Sequence, residues 1–99
     1  MKRRRVDYAA KARDDLDWIY DAVATARDPI TADGYDRRLR RFCERLELAS
    51  ERGQRRDDIR PGLRIVGFEK RVTVAFVVED DAVLVLRIFY GGADWEAAL

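Results

Sequence analysis

The chain has 99 residues, enough to bury one core and too few for two, so it is read as a single domain over residues 1–99. Its 20 Lys and Arg against 19 Asp and Glu leave a formal net charge of +1, which excludes both a globally basic nucleic-acid glove and an acidic tail. Histidine is absent and cysteine occurs once, at Cys43, which removes Ser-His and Cys-His nucleophile pairs, an intrachain disulfide and any metal cluster built on cysteine.

Arg3 to Tyr8 alternates charged and apolar side chains and reads as a short edge strand. Lys2 to Arg5 resembles the charged start of an export signal. Asp7, Lys11, Arg13 and Asp14 interrupt the apolar run such a signal needs, so neither export nor a membrane span is expected, and the lone cysteine suits a reducing cytoplasm. From Ala9 to about Ala26, Ala12, Leu16, Ile19, Tyr20 and Val23 recur at three- and four-residue spacing and predict an amphipathic helix, with Trp18 off the stripe. Asp14, Asp15, Asp17 and Asp21 load its early and middle turns with negative charge.

Asp28-Pro29 ends that helix and opens another, capped by Asp28 or Thr31, in which Tyr35, Leu39, Phe42, Leu46 and Ala49 form the clearest apolar seam of the chain. So short a connection predicts a helical hairpin. Ser50 to Arg60 reads as a solvated polar connection with Gly53 as the helix stop. Pro61-Gly62 then turns into three consecutive antiparallel strands, Leu63 to Phe68, the run beginning at Val72, and the run closing at Gly91-Gly92, with Glu69 to Arg71 and Asp80-Asp81 as reversals. Ala93 to Leu99 is a short tail with one or two helical turns. The expected fold is α+β, in the order β-α-α-β-β-β, with an antiparallel sheet packed on the hairpin.

Strict alternation in the last strand sets Val83, Val85, Arg87 and Phe89 on one side and Leu84, Leu86, Ile88 and Tyr90 on the other. The hairpin covers one face only, so the Val83, Val85, Phe89 side is expected to await a partner. Arg87, a charge in an apolar row, needs a carboxylate, a phosphate or water; its structural candidates are Asp7, Glu69 and Glu79. Arg64 also lies among aliphatics, and if register brings the two together they form a two-arginine anion site. The acid pairs Asp14-Asp15, Asp57-Asp58 and Asp80-Asp81 read as solvated charge. Arg37, Arg38, Arg40 and Arg41 read as a solvated face neutralised by Asp36, Glu44 and Glu47. Cys43 reads as a small core hydrophobe, and Trp95 either pins the tail to the sheet or meets a partner.

Taken together, YAAKARDDLDWIYDAVA from Tyr8, the Gly62-Leu63-Arg64 triplet, VAFVVEDDAVLVLRIFYGG and the acid at Asp94 resemble the ParE branch of the RelE/ParE toxin superfamily across essentially the whole chain. The family often has histidine where Tyr90 stands. The resemblance implies the toxin half of a bacterial type II toxin-antitoxin module, wrapped and neutralised by a cognate antitoxin, with no cofactor or metal. ParE-like members poison DNA gyrase by binding, whereas RelE-like members cleave messenger RNA on the ribosome. A nuclease would draw on Arg64, Arg87 and Tyr90, but alternation separates Tyr90 from Arg87. Inhibition of gyrase by binding is therefore the first expectation, and ribosome-dependent cleavage or a degenerate toxin that only binds antitoxin the alternatives. The expected contacts to target or partner are Arg64, Val83, Val85, Arg87, Phe89 and Trp95, with direct nucleic-acid binding expected only in the nuclease case.

Overall fold

The computed structural model describes residues 3–99. Two helices lie on one face of a five-stranded sheet whose order is β1 (Arg5–Tyr8), β5 (Ala82–Tyr90), β4 (Val72–Val78), β3 (Leu63–Phe68) and β2 (Gln54–Arg55). Between β1 and β2 the chain forms α1 (Ala10–Ala26), α2 (Pro29–Glu44) and a single 3-10 turn over Arg45–Glu47; α3 (Trp95–Ala98) follows β5.

The two long helices are joined by Arg27 and Asp28 alone. Asp28 is fully extended at φ −170° and ψ 164°, the geometry that a following proline imposes, and its carboxylate accepts from the Thr31 amide at 2.7 Å. Asp28 is thus the cap, and Pro29 occupies the first turn, where a missing N–H costs nothing. Each helix buries one stripe at three- and four-residue spacing: Ala12, Leu16, Ile19 and Val23 on α1, and Ala32, Tyr35, Leu39 and Cys43 on α2. These meet Phe68, Val72, Val74, Phe76, Val83, Val85 and Ile88 from the sheet in one core. Full burial of a side chain such as Leu16 or Leu39 contributes roughly 1.5–3 kcal/mol, so this seam is the main glue between layers. Cys43 is fully buried within it, and burial pushes its thiol up to about 12, so it behaves as a small hydrophobe.

Three departures from the expected layout have physical causes. First, β1 pairs with β5 in parallel, Arg5 opposite Ala82 through Tyr8 opposite Val85, so the sheet is mixed. The chain between them, the helical hairpin followed by β2, β3 and β4, is long enough to bring β5 alongside β1 in the same direction. Second, the Ser50 to Arg60 stretch is not merely solvated: Gln54 and Arg55 form β2 against Ile65 and Arg64, and Ile59 packs on the far face of the sheet. Gly53, at φ +79°, makes this docking possible, because a Cβ there would stand 2.4 Å from the Ile65 carbonyl oxygen. Third, the β4–β5 register shifts between Ala75 and Phe76, where Ala75 faces Arg87 but Phe76 faces Val85. Leu86 is the extra residue of a β-bulge.

Candidate functional site

The bulge decides where the side chains of β5 go. Ahead of it Val83 and Val85 point toward the helices; beyond it Ile88 and Tyr90 do, while Leu86 and Phe89 lie on the opposite face. The expectation that Val83 and Val85 share an uncovered side with Arg87 and Phe89 is therefore corrected: both valines are completely buried under the hairpin and cannot touch a partner. Period-two alternation fails at this one residue, and every assignment across it flips.

The opposite face is also less open than one helical layer implies. Leu63, Ala75 and Phe89 form a second buried cluster there, flanked by half-buried Ile59, Ile65, Val77, Leu86, Trp95 and Leu99. Its cover comes from the chain itself, the 56–62 loop and α3. Asp94 caps α3 by accepting from the Ala97 amide at 3.3 Å, and Arg56 fixes it to the loop, stacking 5.3 Å from the centre of the Trp95 ring while donating to Asp58 and Glu96 at 2.8 Å each. Of the two roles open to Trp95, the structure shows the pinning one.

Arg87 has a partner absent from its expected set. Its Nε and Nη2 donate to the two carboxylate oxygens of Asp15 at 2.8 and 3.1 Å, a bidentate fork between the bulge and the second turn of α1. Asp15 Oδ2 also accepts from the Ile88 amide at 2.8 Å. The reason is local: β1 stops at Tyr8, leaving that edge of β5 without a strand neighbour beyond Val85 while β4 continues on the other, and the Asp15 carboxylate takes the place of the missing ladder partner. Arg87 also lies 4.7 Å from the Phe89 ring centre. In the sequence, Asp15 was indistinguishable from the other acids of the first helix; the only available signal was its position one turn inside a helix that follows directly on the edge strand.

Arg64 stands on the helix-side face, opposite Phe76, whereas Arg87 stands opposite Ala75 on the other. The two-arginine anion site is thus not formed: the residues occupy different faces of strands that are not neighbours. Arg64 Nη1 donates to the Glu51 carbonyl at 2.9 Å, tying β3 to the chain just beyond the 3-10 turn. Tyr90 sits edge-on to Tyr35 and to Trp18, with ring centres 6.2 and 6.3 Å apart, in an aromatic row that continues through Phe68 to Phe42. Trp18, 62% exposed, is the outer end of that row and borders an open cleft of ≈ 270 Å³ with Asp15, Arg87 and Tyr90. No helix of the described residues is long and apolar enough to cross a membrane.

Two layers, a mixed five-stranded sheet under a helical hairpin, and a β5 arginine held by the first helix define the class: a small α+β domain of the ParE/RelE-like fold. Residues 6–95 match the family described as ParE toxin of type II toxin-antitoxin system, parDE. The chain belongs to the ParE toxin family. Among solved structures it is similar to a chain of the chromosomal ParDE TA system from P. aeruginosa, with TM-score 0.77 and 25% identity over 89% of this chain and 96% of that one. It shares its fold with a conserved hypothetical protein from Helicobacter pylori, at TM-score 0.52 and 16% identity over 88% of this chain and 93% of the other. No curated protein matches it by sequence.

Proposed function

We propose that this chain acts as the toxin of its module by binding DNA gyrase rather than by cutting RNA, and that a cognate antitoxin neutralises it. The observation that carries the choice is the dispersal of the residues a nuclease would draw on. Arg64 and Arg87 stand on opposite faces of the sheet, the one donating to a backbone carbonyl and the other to Asp15, while Tyr90 is packed edge-on between Tyr35 and Trp18. A ribonuclease needs a base, an acid and a phosphate clamp converging on one scissile bond. An inhibitor by binding needs only a surface.

The surface we assign to target and antitoxin is the end of the molecule around β5 and α3, where Arg87 and the half-buried Trp95 lie; Phe89, expected among the contacts, is buried beneath the loop and α3 and is left out of it. The half-exposed Leu86 and exposed Trp18 flank it, supplying the arginine and aromatic anchors that dominate interface energetics. The test compares supercoiling by purified gyrase with ribosome-dependent cleavage of messenger RNA, with and without the protein encoded by the adjacent reading frame. Inhibited supercoiling that the neighbour relieves is the expected outcome. RNA cleavage with supercoiling intact at stoichiometric excess overturns the assignment.

A further inference from the structure

The arginines of α2 and its C-terminal extension fall into two groups once their partners are known. Arg40 donates to Asp36 at 2.9 Å, and Arg38 to Glu69 at 2.9 and 3.2 Å. Arg37, Arg41, Arg45 and Arg52, all exposed, form no ion pair within 4.0 Å among the described residues. The acids interleaved with them in sequence are turned elsewhere: Glu44 accepts from the Tyr8 hydroxyl at 3.1 Å, and Glu47 lies 3.9 Å from Arg3. The neutralised face expected from the sequence is neutralised on only one side.

Arg37, Arg41 and Arg45 succeed one another at four-residue steps, one ridge about 12 Å long at the helical rise of about 1.5 Å per residue. Arg52 reaches back from the following loop and places its guanidinium 5.1 Å from the centre of the Phe42 ring, which in turn leans on Phe68 at 5.1 Å. Arg41, Arg45, Phe42 and Phe68 line an open cleft of ≈ 240 Å³, rimmed by Arg38 and Glu69. Like charges at four-residue spacing repel, so the ridge costs the isolated protein stability. The helix dipole favours cations in the last turn, which accounts for Arg41; Arg37 lies a full turn earlier and Arg52 is outside the helix altogether.

We propose that this ridge binds single-stranded nucleic acid, with phosphates along Arg37, Arg41 and Arg45 and a base stacked at the Phe42–Arg52 corner. Evenly stepped guanidinium forks without internal acceptors suit a repeating phosphodiester, each able to take two oxygens at once. A run of peptide carboxylates would meet the same charges but has no flat group for the aromatic corner, where a base does. With a net charge of +1, any such affinity must come from the ridge and not from the field of the whole molecule. The proposal goes beyond the gyrase reading and does not rest on it, since neither gyrase nor ribosome enters the measurement.

The experiment is fluorescence anisotropy of a labelled oligothymidylate with the full chain, titrated at several salt concentrations, with a duplex of the same length and polyglutamate as competitors. Saturable binding at low salt is expected, and the variant R37Q/R41Q/R45Q should lower the slope of log affinity against log salt by about 2, at roughly 0.7 per single-strand phosphate contact. Phe42→Leu, which keeps apolar volume in the cleft, should weaken the oligothymidylate about tenfold through lost stacking. Arg40→Gln removes the same charge from an arginine already paired with Asp36 and should change affinity by less than about twofold. An equal loss with Arg40→Gln, a duplex or polyglutamate competing better than the single strand, or no binding at low salt would each overturn the proposal. Thermal melts of each variant separate lost binding from lost fold.

Discussion

Asp15 ties the first helix to β5, because one carboxylate serves both the Arg87 fork and the Ile88 amide. The pair is only partly buried, with side-chain exposures of 25% for Arg87 and 16% for Asp15, so solvent screens some of the attraction. Removing the carboxylate leaves a guanidinium and a strand amide without acceptors at once. Hydrogen bonds to charged groups contribute about 1.5–3 kcal/mol, so Asp15→Ala should lower unfolding stability by roughly 2–3 kcal/mol. Arg87→Ala should cost less, since the Ile88 amide keeps its acceptor. The double variant should then be destabilised by less than the two single losses together, as urea denaturation of the cycle would show; strict additivity would mean that the fork contributes nothing. The composition of β5 signalled that Arg87 needed an anion, but not which one, because several acids of α1 offered the same chemistry and only the end of β1 at Tyr8 selects Asp15.

At the scale of elements, the legible parts were those in which period and punctuation agreed. Ala12, Leu16, Ile19 and Val23 predicted the buried face of α1; Tyr35 and Leu39 predicted that of α2, and Leu46 the buried residue of the 3-10 turn after it; Asp28-Pro29 marked the junction of the helices. What was not legible came from single residues with leverage over their surroundings. Leu86, as the bulge, exchanges the faces of everything on either side of it, and no hydrophobic pattern distinguishes a bulged VLVLRIFY from a regular one. Gln54 and Arg55 are too few to show a period, and their pairing depends on Gly53. That dependence is testable. Gly53→Ala combines a left-handed backbone with a Cβ driven into the Ile65 carbonyl, so it should cost about 1–3 kcal/mol. It should also speed hydrogen exchange at the Arg56 amide, which donates to the Leu63 carbonyl at 2.8 Å. Unchanged stability and exchange would show that β2 is not held by this contact.

Across the whole molecule, acid stability follows from a set of surface carboxylates whose folded-state partners favour the ionised form. The Thr31 amide holds Asp28 below its usual range, as do the Gly62 amide and Arg55 for Asp57, Arg56 for Asp58, and Arg38 for Glu69. A carboxylate whose pKa is lower folded than unfolded binds fewer protons in the native state, so its contribution is complete above the unfolded value near 4 and is lost as pH falls through the folded one. With no histidine to titrate, urea midpoints should be nearly flat from about pH 5 to pH 7 and then decline below about pH 4. The decline should shrink at high ionic strength, because all of these groups are exposed. A stability maximum below pH 4 would contradict the assignment.

The parallel pairing of β1 with β5 also has a consequence for synthesis. The first strand and both long helices are synthesised well before Ala82 is added, yet Val83, Val85 and Ile88, which close the core over Leu16 and Leu39, and the neighbour that β1 requires, all belong to β5. A polypeptide interrupted ahead of Ala82 has apolar helix stripes with part of their cover missing and an edge strand with nothing to pair to. Damaged or prematurely terminated messages that stop ahead of β5 therefore yield products that cannot complete the fold, and the binding surface proposed around β5 exists only once that strand has been made.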